Sequence, residues 1–317
     1  MVTGAVCLGQ TNPPTSPAAV TNAMRAATMN HYFPNVDFVC GVEIGTGGGQ
    51  PLHADIAWPK KPSRTPMPAI IYWHGGGWYS GTYENGDPWL GPFAMDGYFA
   101  VTAQYRLSGV AKWPAQIEDC KLAVRWLRAN AAKYNVDPNR IGVAGSSAGA
   151  HLAACVGTMG NETQFEGTGG YPGVSSKVQA VVTYSAVTDF RKGNFTDGSE
   201  YTRANAARCA SLIETLIGKP FTAKPDRYRQ ASPMTYVRAG LPPFLVIHGD
   251  KDESVSFQQG VTFFEALKKA GVPAEFLAVK NAGHSLGDQL PNCPPPAPNS
   301  AQVRDVSKEF LKKHLQN

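Results

Sequence analysis

Short apolar runs alternate with longer amphipathic stretches along most of the chain, from Asp37 onward. The short runs are rich in β-branched and aromatic residues, which is typical of strands, whereas the longer stretches repeat apolar residues at helical spacing. Runs that are apolar throughout suit central strands covered on both faces. Segments of this kind are 69–73, 98–103, 141–144, 178–184 and 244–247. The pattern predicts an α/β fold with a mostly parallel central sheet flanked by helices.

An early hairpin and a set of helices complete the predicted architecture. Strands at 38–44 and 52–58 surround a glycine-rich turn at 45–49, and this arrangement predicts an antiparallel edge of the sheet. Apolar residues at helical spacing predict helices over 117–134, 261–270 and 303–315.

Two stretches fit neither the strand pattern nor the helix pattern. Residues 157–176 are rich in Gly and Thr, and residues 191–236 contain helical pieces separated by prolines. Insertions of this kind on an α/β core usually form a cap or loops around the mouth of an active site. We therefore expect one domain over 37–317 that carries both insertions, preceded by an N-terminal extension over 1–36.

The composition and charge exclude several classes of function. Hydrophobic residues make up 43% of the 317 residues and charged residues 17%, a mixture that can form a large core. The net charge of +5 is spread along the chain without a basic run of the kind that binds nucleic acid. No apolar run approaches the roughly 20 residues that a membrane-spanning helix needs. We expect neither a nucleic-acid partner nor a membrane partner, and the sequence does not indicate an oligomeric state.

The N-terminus and the cysteines bear on the cellular compartment. Residues 1–9 are small and apolar, and they fit either the stub of a trimmed signal peptide or a frayed terminus. The six cysteines include no C-x-x-C pair, so we expect no metal site. Cys209 and Cys293 are the better candidates for a disulfide because both lie in loop-rich regions. We expect a secreted or periplasmic protein, with a cytoplasmic location left open.

The strongest chemical signal is the G-x-S-x-G motif Gly-Ser-Ser-Ala-Gly at 145–149, which follows an apolar strand and precedes a helix-forming run. A nucleophilic serine in this motif lies on a sharp strand-to-helix turn, and the flanking glycines remove Cβ atoms that would collide. Such a pentapeptide also occurs as an ordinary turn in glycine-rich chains, but its position between strand and helix favours a nucleophile. Ser147 is therefore the predicted nucleophile, and its neighbour Ser146 is expected to be structural.

The second chemical signal is the sequence His-Gly-Gly-Gly-Trp at 74–78, directly after another apolar strand. Attack on an ester carbonyl passes through a tetrahedral oxyanion, and the backbone N–H groups of consecutive glycines can point at it without obstruction. A flexible glycine turn is the alternative, but the position after a buried strand favours the mechanism. We expect an oxyanion hole formed by the N–H groups of Gly76, Gly77 and Ala148.

Candidates for an acid and a base follow in the chain order that the G-x-S-x-G motif predicts. One late apolar strand leads into a loop with the acids Asp250, Asp252 and Glu253, and the next leads into a turn with His284. His284 is therefore the predicted base, and the residues alone leave the choice of acid open.

Over about residues 37–317 these segments resemble the esterase/lipase branch of the α/β-hydrolase superfamily. The motifs H-G-G-G-W, Y-R-L, G-x-S-A-G, H-G-x-x-D-x-x-V and G-H-S occur in the order of that family. Segments 104–107 and 113–119 look most like the bacterial acetyl-xylan and feruloyl esterase-like carbohydrate esterases. By this resemblance the acid is Asp252, and Asp189 after an earlier strand is its rival.

The resemblance also implies an activity, in which Ser147, Asp252 and His284 form a catalytic triad. The implied enzyme is a serine carboxylesterase without a cofactor, which hydrolyses short-chain acyl or feruloyl esters on plant cell-wall polysaccharide through an acyl-enzyme. Trp78, Tyr79 and Trp113 are the candidate substrate-binding residues, and each of them, like Trp89, either stacks on the substrate or belongs to the core.

Two other functions remain open from the sequence. The same triad can attack amides, so an amidase-like hydrolase such as a kynurenine formamidase or a small peptidase is the alternative enzyme. A catalytically silent fold used for binding is the alternative from another class. Such a fold typically lacks a triad residue, whereas this chain has all three, which favours an enzyme.

Overall fold

In the residues that this computed structural model describes, 17–61, 63–191, 202 and 204–316, eight strands form one mixed sheet. The strands are β1 (Val36–Gly47), β2 (Gln50–Pro59), β3 (Met67–Trp73), β4 (Phe99–Ala103), β5 (Val136–Ser146), β6 (Ala180–Tyr184), β7 (Phe244–Gly249) and β8 (Ala274–Val279). Their order across the sheet is β1-β2-β4-β3-β5-β6-β7-β8. β2 pairs antiparallel with both β1 and β4, and the remaining pairs are parallel. The predicted mostly parallel sheet with a hairpin edge is confirmed.

Helices cover both faces of the sheet, as expected for strands that are buried on both sides. Within the described part of the chain, the α-helices with defined ends are α1 (Pro17–Tyr32), α2 (Asp87–Met95), α3 (Ala115–Ala129), α4 (Ala148–Thr158), α5 (Ala206–Ile217), α6 (Pro225–Gln230), α7 (Phe257–Lys269) and α8 (Ser300–Leu315). Helices α3, α4 and α7 pack on the face that buries Ile71 and Trp73 of β3. Helices α1, α2 and α8 pack on the other face, with Ile70 and Tyr72. The alternation along β3 follows from the two-residue period of a strand.

The hairpin has a tighter turn than the predicted segment 45–49. The ladder between β1 and β2 continues to the pair Gly47 and Gln50, so the turn consists of Gly48 and Gly49 alone. Both glycines have positive φ, 59° and 81°, which a two-residue hairpin turn of this kind requires and glycine adopts without strain.

The predicted helices are present, but their ends differ from the prediction. The helix predicted over 117–134 is α3, which ends at Ala129 and is followed by a separate short turn at Ala132–Tyr134. Helices α7 and α8 begin earlier than predicted because the side chains of Ser256 and Asn299 accept hydrogen bonds from first-turn N–H groups. These caps satisfy backbone donors that the apolar pattern does not reveal.

Helix α1 lies within the N-terminal extension 1–36, and the sequence pattern did not predict it. Its Arg25 forms ion pairs with Asp55 on β2 and, at 2.6 Å, with Asp87 at the start of α2. Asp55 is fully buried, so Arg25 supplies the charge that a buried carboxylate needs. Residues 1–16, which the signal-peptide and frayed-terminus expectations concern, lie outside the described residues.

The first insertion, 157–176, packs on α3 and on the hairpin edge of the sheet. Glu166 accepts hydrogen bonds from Lys121 at 3.0 Å and from Arg125 at 2.5 Å. The carbonyl of Gly169 accepts a hydrogen bond from a backbone N–H of β1 at 2.9 Å. Since Lys121 and Arg125 are buried, these contacts hold the insertion against the core.

The start and the end of the second insertion, 191–236, lie side by side and are joined by hydrogen bonds. The backbone N–H of Phe190 donates to Ser232 Oγ at 2.7 Å, and the N–H of Met234 donates to the carbonyl of Thr188 at 3.1 Å. The described part of the insertion contains α5 and α6. The two ends of this segment are therefore held together by the core itself.

Cys209 and Cys293, the better candidates for a disulfide, are both free thiols and do not pair with each other. Cys209 lies on α5 and donates to the carbonyl of Ser254 at 3.1 Å, whereas Cys293 accepts a hydrogen bond from Lys251 at 3.3 Å. The sequence placed both cysteines in loop-rich regions but could not place the two sulfur atoms relative to each other. Cys7 lies outside the described residues.

Candidate active site

Ser147 lies at the sharp turn between β5 and α4 and lines a cavity. Its φ of 52° and ψ of −117° are values that residues other than glycine rarely adopt. A Cβ on Gly145 would lie 2.4 Å from the backbone of Gly149, and a Cβ on Gly149 would lie 2.0 Å from the carbonyl of Trp73. Space therefore requires both flanking glycines, as the G-x-S-x-G motif predicts.

The structure brings Ser147, His284 and Asp252 together in a hydrogen-bonded row. His284 Nε2 lies 2.8 Å from Ser147 Oγ, and His284 Nδ1 lies 2.8 Å from Asp252 Oδ2 and 3.0 Å from Oδ1. With its proton on Nδ1, the imidazole donates to the carboxylate and accepts from the serine hydroxyl. Ser147, Asp252 and His284 follow β5, β7 and β8, so they meet at the carboxyl edge of the parallel strands.

The surroundings of Asp252 keep its side chain a carboxylate. Burial alone would raise the pKa of Asp252, but hydrogen bonds from His248 and His284 hold this pKa well below its usual range. Its Oδ1 also accepts from the backbone N–H groups of Ser254 and Val255, both at 2.8 Å. A buried carboxylate with this many donors is fixed in orientation as well as in charge.

The charge of Asp252 raises the pKa of His284. Burial alone would lower the pKa of His284, but the hydrogen bond and charge of Asp252, with the charge of Glu253, raise this pKa above its ordinary value. The guanidinium of Arg208, which lines the same cavity, opposes the shift and lowers the pKa of His284. His284 is therefore a stronger base than a free imidazole.

The other candidate acids have partners other than the His284 ring. Asp250 accepts the backbone N–H of Asn281 at 2.7 Å, and Glu253 accepts the backbone N–H of His284 at 3.1 Å. Asp189 pairs with Arg191 at 2.7 Å. Asp252 contacts the His284 ring directly, as the resemblance implied.

The glycine turn after β3 lies beside Ser147. A Cβ on Gly75 would lie 3.2 Å from Ser147 Cβ, so this glycine, which the sequence analysis did not select, allows the close approach. Gly76 and Gly77 have φ of 110° and 61°, and a Cβ on Gly76 would lie 2.2 Å from the carbonyl of Ser80. Ala148, the third predicted donor, is the first residue of α4.

The side chain of His74 helps to fix that glycine turn. Its ring stacks on the Tyr105 ring at 4.6 Å, and the Tyr105 hydroxyl donates to the His74 carbonyl at 3.1 Å. Both side chains are buried, so the turn rests on a rigid support.

A cavity of about 1020 Å³ contains Ser147 and His284 in its lining. Helix α5 of the second insertion contributes Arg208 and Leu212, as expected for a segment around the mouth. The first insertion, 157–176, contributes no lining residue among those described, so the expectation that it would line the mouth is wrong. Its contacts with α3 and β1 hold it away from the cavity.

Four aromatic side chains form one wall of the cavity, and we call them the Trp89 cluster: Tyr72, Trp89, Phe93 and Tyr184. The centroid of the Trp89 ring lies 4.7 Å from that of Tyr72, 5.1 Å from that of Tyr184 and 6.0 Å from that of Phe93. The Tyr72 hydroxyl donates to Ser146 Oγ at 3.0 Å, which agrees with a structural role for Ser146. The cluster therefore begins next to the nucleophile.

The three aromatic residues predicted to bind substrate have different positions. Tyr79 lines the cavity and is 59% exposed. Trp78 also lines it but is 2% exposed, and its Nε1 donates to His151 Nδ1 at 3.1 Å. Trp113 does not line the cavity. Its ring packs in the core at 5.7 Å from His151 and 6.0 Å from Phe165, so of the two roles left open for Trp113 the structure favours the core.

The described residues contain neither a cluster of metal-binding side chains nor a membrane-spanning helix. Among the described residues, no group of three or more His, Cys, Asp or Glu side chains is arranged to hold a metal ion. In the same part of the chain, no helix has the length and apolar character needed to cross a bilayer.

The sheet, the turn at Ser147 and the hydrogen-bonded row define the class of protein, an α/β-hydrolase, which confirms the predicted fold. A carbohydrate esterase from gut microbiota superimposes with a TM-score of 0.72 and 28% identity, covering 88% of this chain and 96% of that one. The butyrate-bound esterase Est2 of Thermogutta terrifontis superimposes with a TM-score of 0.70 and 26% identity, covering 89% and 95% of the two chains.

Sequence comparison places the chain more narrowly within this class. Residues 54–267, more than half of the chain, match the family described as BD-FAE, and the chain belongs to this family. Esterase LipC of Mycobacterium tuberculosis is 33% identical over 244 residues, which are 75% of this chain and 58% of LipC. The chain therefore spans less than two thirds of this relative.

Proposed function

We propose that the protein is a serine carboxylesterase in which Ser147 is the nucleophile, His284 the general base and Asp252 the acid that orients the base. The observation that carries this proposal is the row of 2.8 Å hydrogen bonds from Asp252 through His284 to Ser147, which ends in the cavity. The named esterases among its relatives and structural neighbours support the same activity.

The first half of the reaction forms an acyl-enzyme. Ser147 Oγ attacks the ester carbonyl carbon while its proton moves to His284 Nε2, and Asp252 stabilises the imidazolium. The backbone N–H groups of Gly76, Gly77 and Ala148 are the proposed donors to the oxyanion. The carbon–oxygen bond to the alcohol then breaks, and the alcohol leaves with the proton from His284.

The second half of the reaction releases the acid. A water molecule gives a proton to His284 Nε2 and its hydroxyl attacks the acyl carbon, so the same oxyanion donors act again. The bond from the acyl carbon to Ser147 Oγ breaks, and the proton on His284 returns to Ser147. The enzyme is restored without a cofactor.

The proposed substrates are short-chain acyl or feruloyl esters on plant cell-wall polysaccharide. The Trp89 cluster supports an aromatic acyl group because flat rings pack well against an aromatic wall. The exposed Tyr79 at the cavity is suited to stack on a sugar ring. A structural neighbour is named a carbohydrate esterase. Because such a polysaccharide lies outside the cell that degrades it, we propose a secreted or periplasmic location.

The test is chromatographic measurement of acetate and ferulate released from plant xylan by the wild type and by Ser147→Ala. We expect release by the wild type alone, and the ratio of the two acids identifies the preferred acyl group. If neither acid is released while a small aryl acetate is still cleaved, the esterase proposal stands and the polysaccharide proposal fails. If the aryl acetate is not cleaved either, the esterase proposal fails.

A further inference from the structure

A second histidine contacts the proposed catalytic acid. His248 lies on β7 and is fully buried. Its Nε2 lies 3.2 Å from Asp252 Oδ2 and 3.1 Å from the carbonyl of Val255. Both of these oxygens are acceptors, so Nε2 must carry a proton to bind either of them.

The other ring nitrogen of His248 has a different environment. Nδ1 is buried and makes no hydrogen bond within the described part of the chain. It faces Gly260 of α7, where a Cβ would lie 2.8 Å from it, and the ring of Phe257 lies edge-on at 5.9 Å. A proton on Nδ1 would be buried without an acceptor, which is costly. The geometry therefore places a single proton on the ring, at Nε2.

The Nε2 proton of His248 is thus shared between the Val255 carbonyl at 3.1 Å and Asp252 Oδ2 at 3.2 Å, and Oδ2 also accepts from His284 at 2.8 Å. A hydrogen bond to a carboxylate stabilises its charged form and reduces its affinity for a proton. A carboxylate with reduced proton affinity is in turn a weaker acceptor for the imidazolium of His284. His248 does not line the cavity, so it can influence the reaction through Asp252 without touching substrate.

We propose that His248 is a positioning residue for the hydrolysis: its Nε2–H donates to Asp252 Oδ2, helps to hold the carboxylate opposite His284, and competes with His284 for the same oxygen. This inference rests on the proposed function. Removal of this donor leaves Asp252 Oδ2 to His284 alone and makes the carboxylate a stronger base. The protonated form of His284 then becomes more favourable, and the active enzyme requires a higher pH.

The experiment compares His248→Met with His248→Gln, using kcat and KM for a small aryl acetate across pH. Gln retains an N–H donor near the position of Nε2, whereas Met has a similar length and no donor. For His248→Met we expect the acidic limb of kcat/KM to move up by about half to one pH unit and kcat to fall by roughly tenfold. For His248→Met we also expect an unchanged KM. For His248→Gln we expect an acidic limb of kcat/KM close to that of the wild type.

Gly260→Ala is a second variant that leaves His248 in place. Its added Cβ meets His248 Nδ1 and should displace the ring, whereas the backbone of α7 accepts an alanine at this helical position. The limb should move in the same direction as in His248→Met, which keeps the test available if His248→Met does not fold.

His151→Met is the matched control, because His151 is also fully buried but bonds to Trp78 and to the Ala231 carbonyl instead of Asp252. The His151→Met variant should lose stability, but the acidic limb of its kcat/KM profile should stay at the wild-type pH. Titration with a fluorophosphonate that labels Ser147 corrects every rate for the fraction of active protein.

The inference is overturned if the limb stays in place in His248→Met and Gly260→Ala, or if His248→Gln moves it as far as His248→Met does. Failure of the proposed function has a different signature. In that case the wild type itself would react neither with the fluorophosphonate nor with the aryl acetate.

Discussion

At the scale of single residues, the site depends on a strained backbone at Ser147 and on buried partners for Asp252. The left-handed φ of Ser147 is held by β5 and α4 on either side, and its N–H donates to the Tyr184 carbonyl at 2.8 Å. A residue in this conformation persists only where its surroundings enforce it. The chemistry of the site therefore depends on how firmly the adjoining elements are packed.

The first prediction concerns the pH dependence of catalysis. Only neutral His284 can take the proton of Ser147, so kcat/KM should fall as the pH drops through the pKa of His284. Since the structure raises this pKa, the midpoint should lie above the ordinary value of 6.5. The measurement is kcat/KM for an uncharged aryl acetate from about pH 5 to 9 at constant ionic strength.

Arg208→Gln provides the control for that measurement. The charge of Arg208 lowers the pKa of His284, so its removal should move the midpoint further up. The raised pKa also means that protonated His284 stabilises the fold below pH 6.5, and that this contribution is lost as the pH rises through the folded-state pKa. A midpoint below 6.5 in the wild type would contradict the prediction.

The sequence was most informative for residues that motifs place at strand ends. Ser147, Asp252 and His284 each follow a strand that is apolar enough to recognise, and parallel strands bring such positions to one edge. The position of Trp113 could not be derived in this way, because an aromatic side chain in a loop can turn either to the cavity or to the core. The free thiols of Cys209 and Cys293 are a similar case, since pairing depends on distances that the chain order does not contain.

At the scale of elements, the sequence pattern failed for two helices. Helix α1 mixes alanine with threonine and asparagine and has a weak apolar stripe, and α2 contains a glycine and an internal proline, Pro92. Both features lower helix propensity, so tertiary contacts decide these elements. Helix α2 carries Trp89 and Phe93, which explains why the sequence analysis did not find the Trp89 cluster as a unit.

The second prediction tests the role of the Trp89 cluster in acyl selection. Trp89→Ala removes the central ring, and we expect kcat/KM for a feruloyl ester to fall about tenfold more than that for the matched acetate, which corresponds to about 1.4 kcal/mol of ring packing. The measurement is the ratio of the two kcat/KM values with the same alcohol.

Trp58→Ala is the matched control for Trp89→Ala. Trp58 is also half-buried and stacks on Phe99 at 5.8 Å, but it does not line the cavity. Both variants should lose about 2 kcal/mol in the free energy of unfolding, and only Trp89→Ala should change the acyl ratio. Equal ratios in both variants would remove the cluster from the proposed substrate site.

At the scale of the whole molecule, the sheet is held between two layers of helices, and α1 closes one of them. The attachment of α1 depends on Arg25, which pairs with Asp55 and Asp87 across two other elements. The N-terminal extension is thus partly a component of the core layer, although the sequence analysis placed the domain boundary after it.

The third prediction tests this attachment. Arg25→Met leaves the buried Asp55 without its cation, and we expect a loss of about 3–5 kcal/mol in the free energy of unfolding. Urea denaturation measures the change. The comparison is Lys313→Met, which breaks an exposed pair with Glu275 and should lose no more than about 1 kcal/mol. Similar small losses in both variants would show that α1 contributes little to stability.

The hydrogen bonds between the two ends of the second insertion affect how easily this segment can be exchanged. Because Phe190 with Ser232 and Thr188 with Met234 hold the two ends together, the loop between them can be replaced by one of another length at little cost in chain entropy. The residues of α5 that face the cavity would change, while the strands that carry the proposed triad would stay in place. We therefore expect that grafting this segment from a relative changes which esters the proposed site accepts.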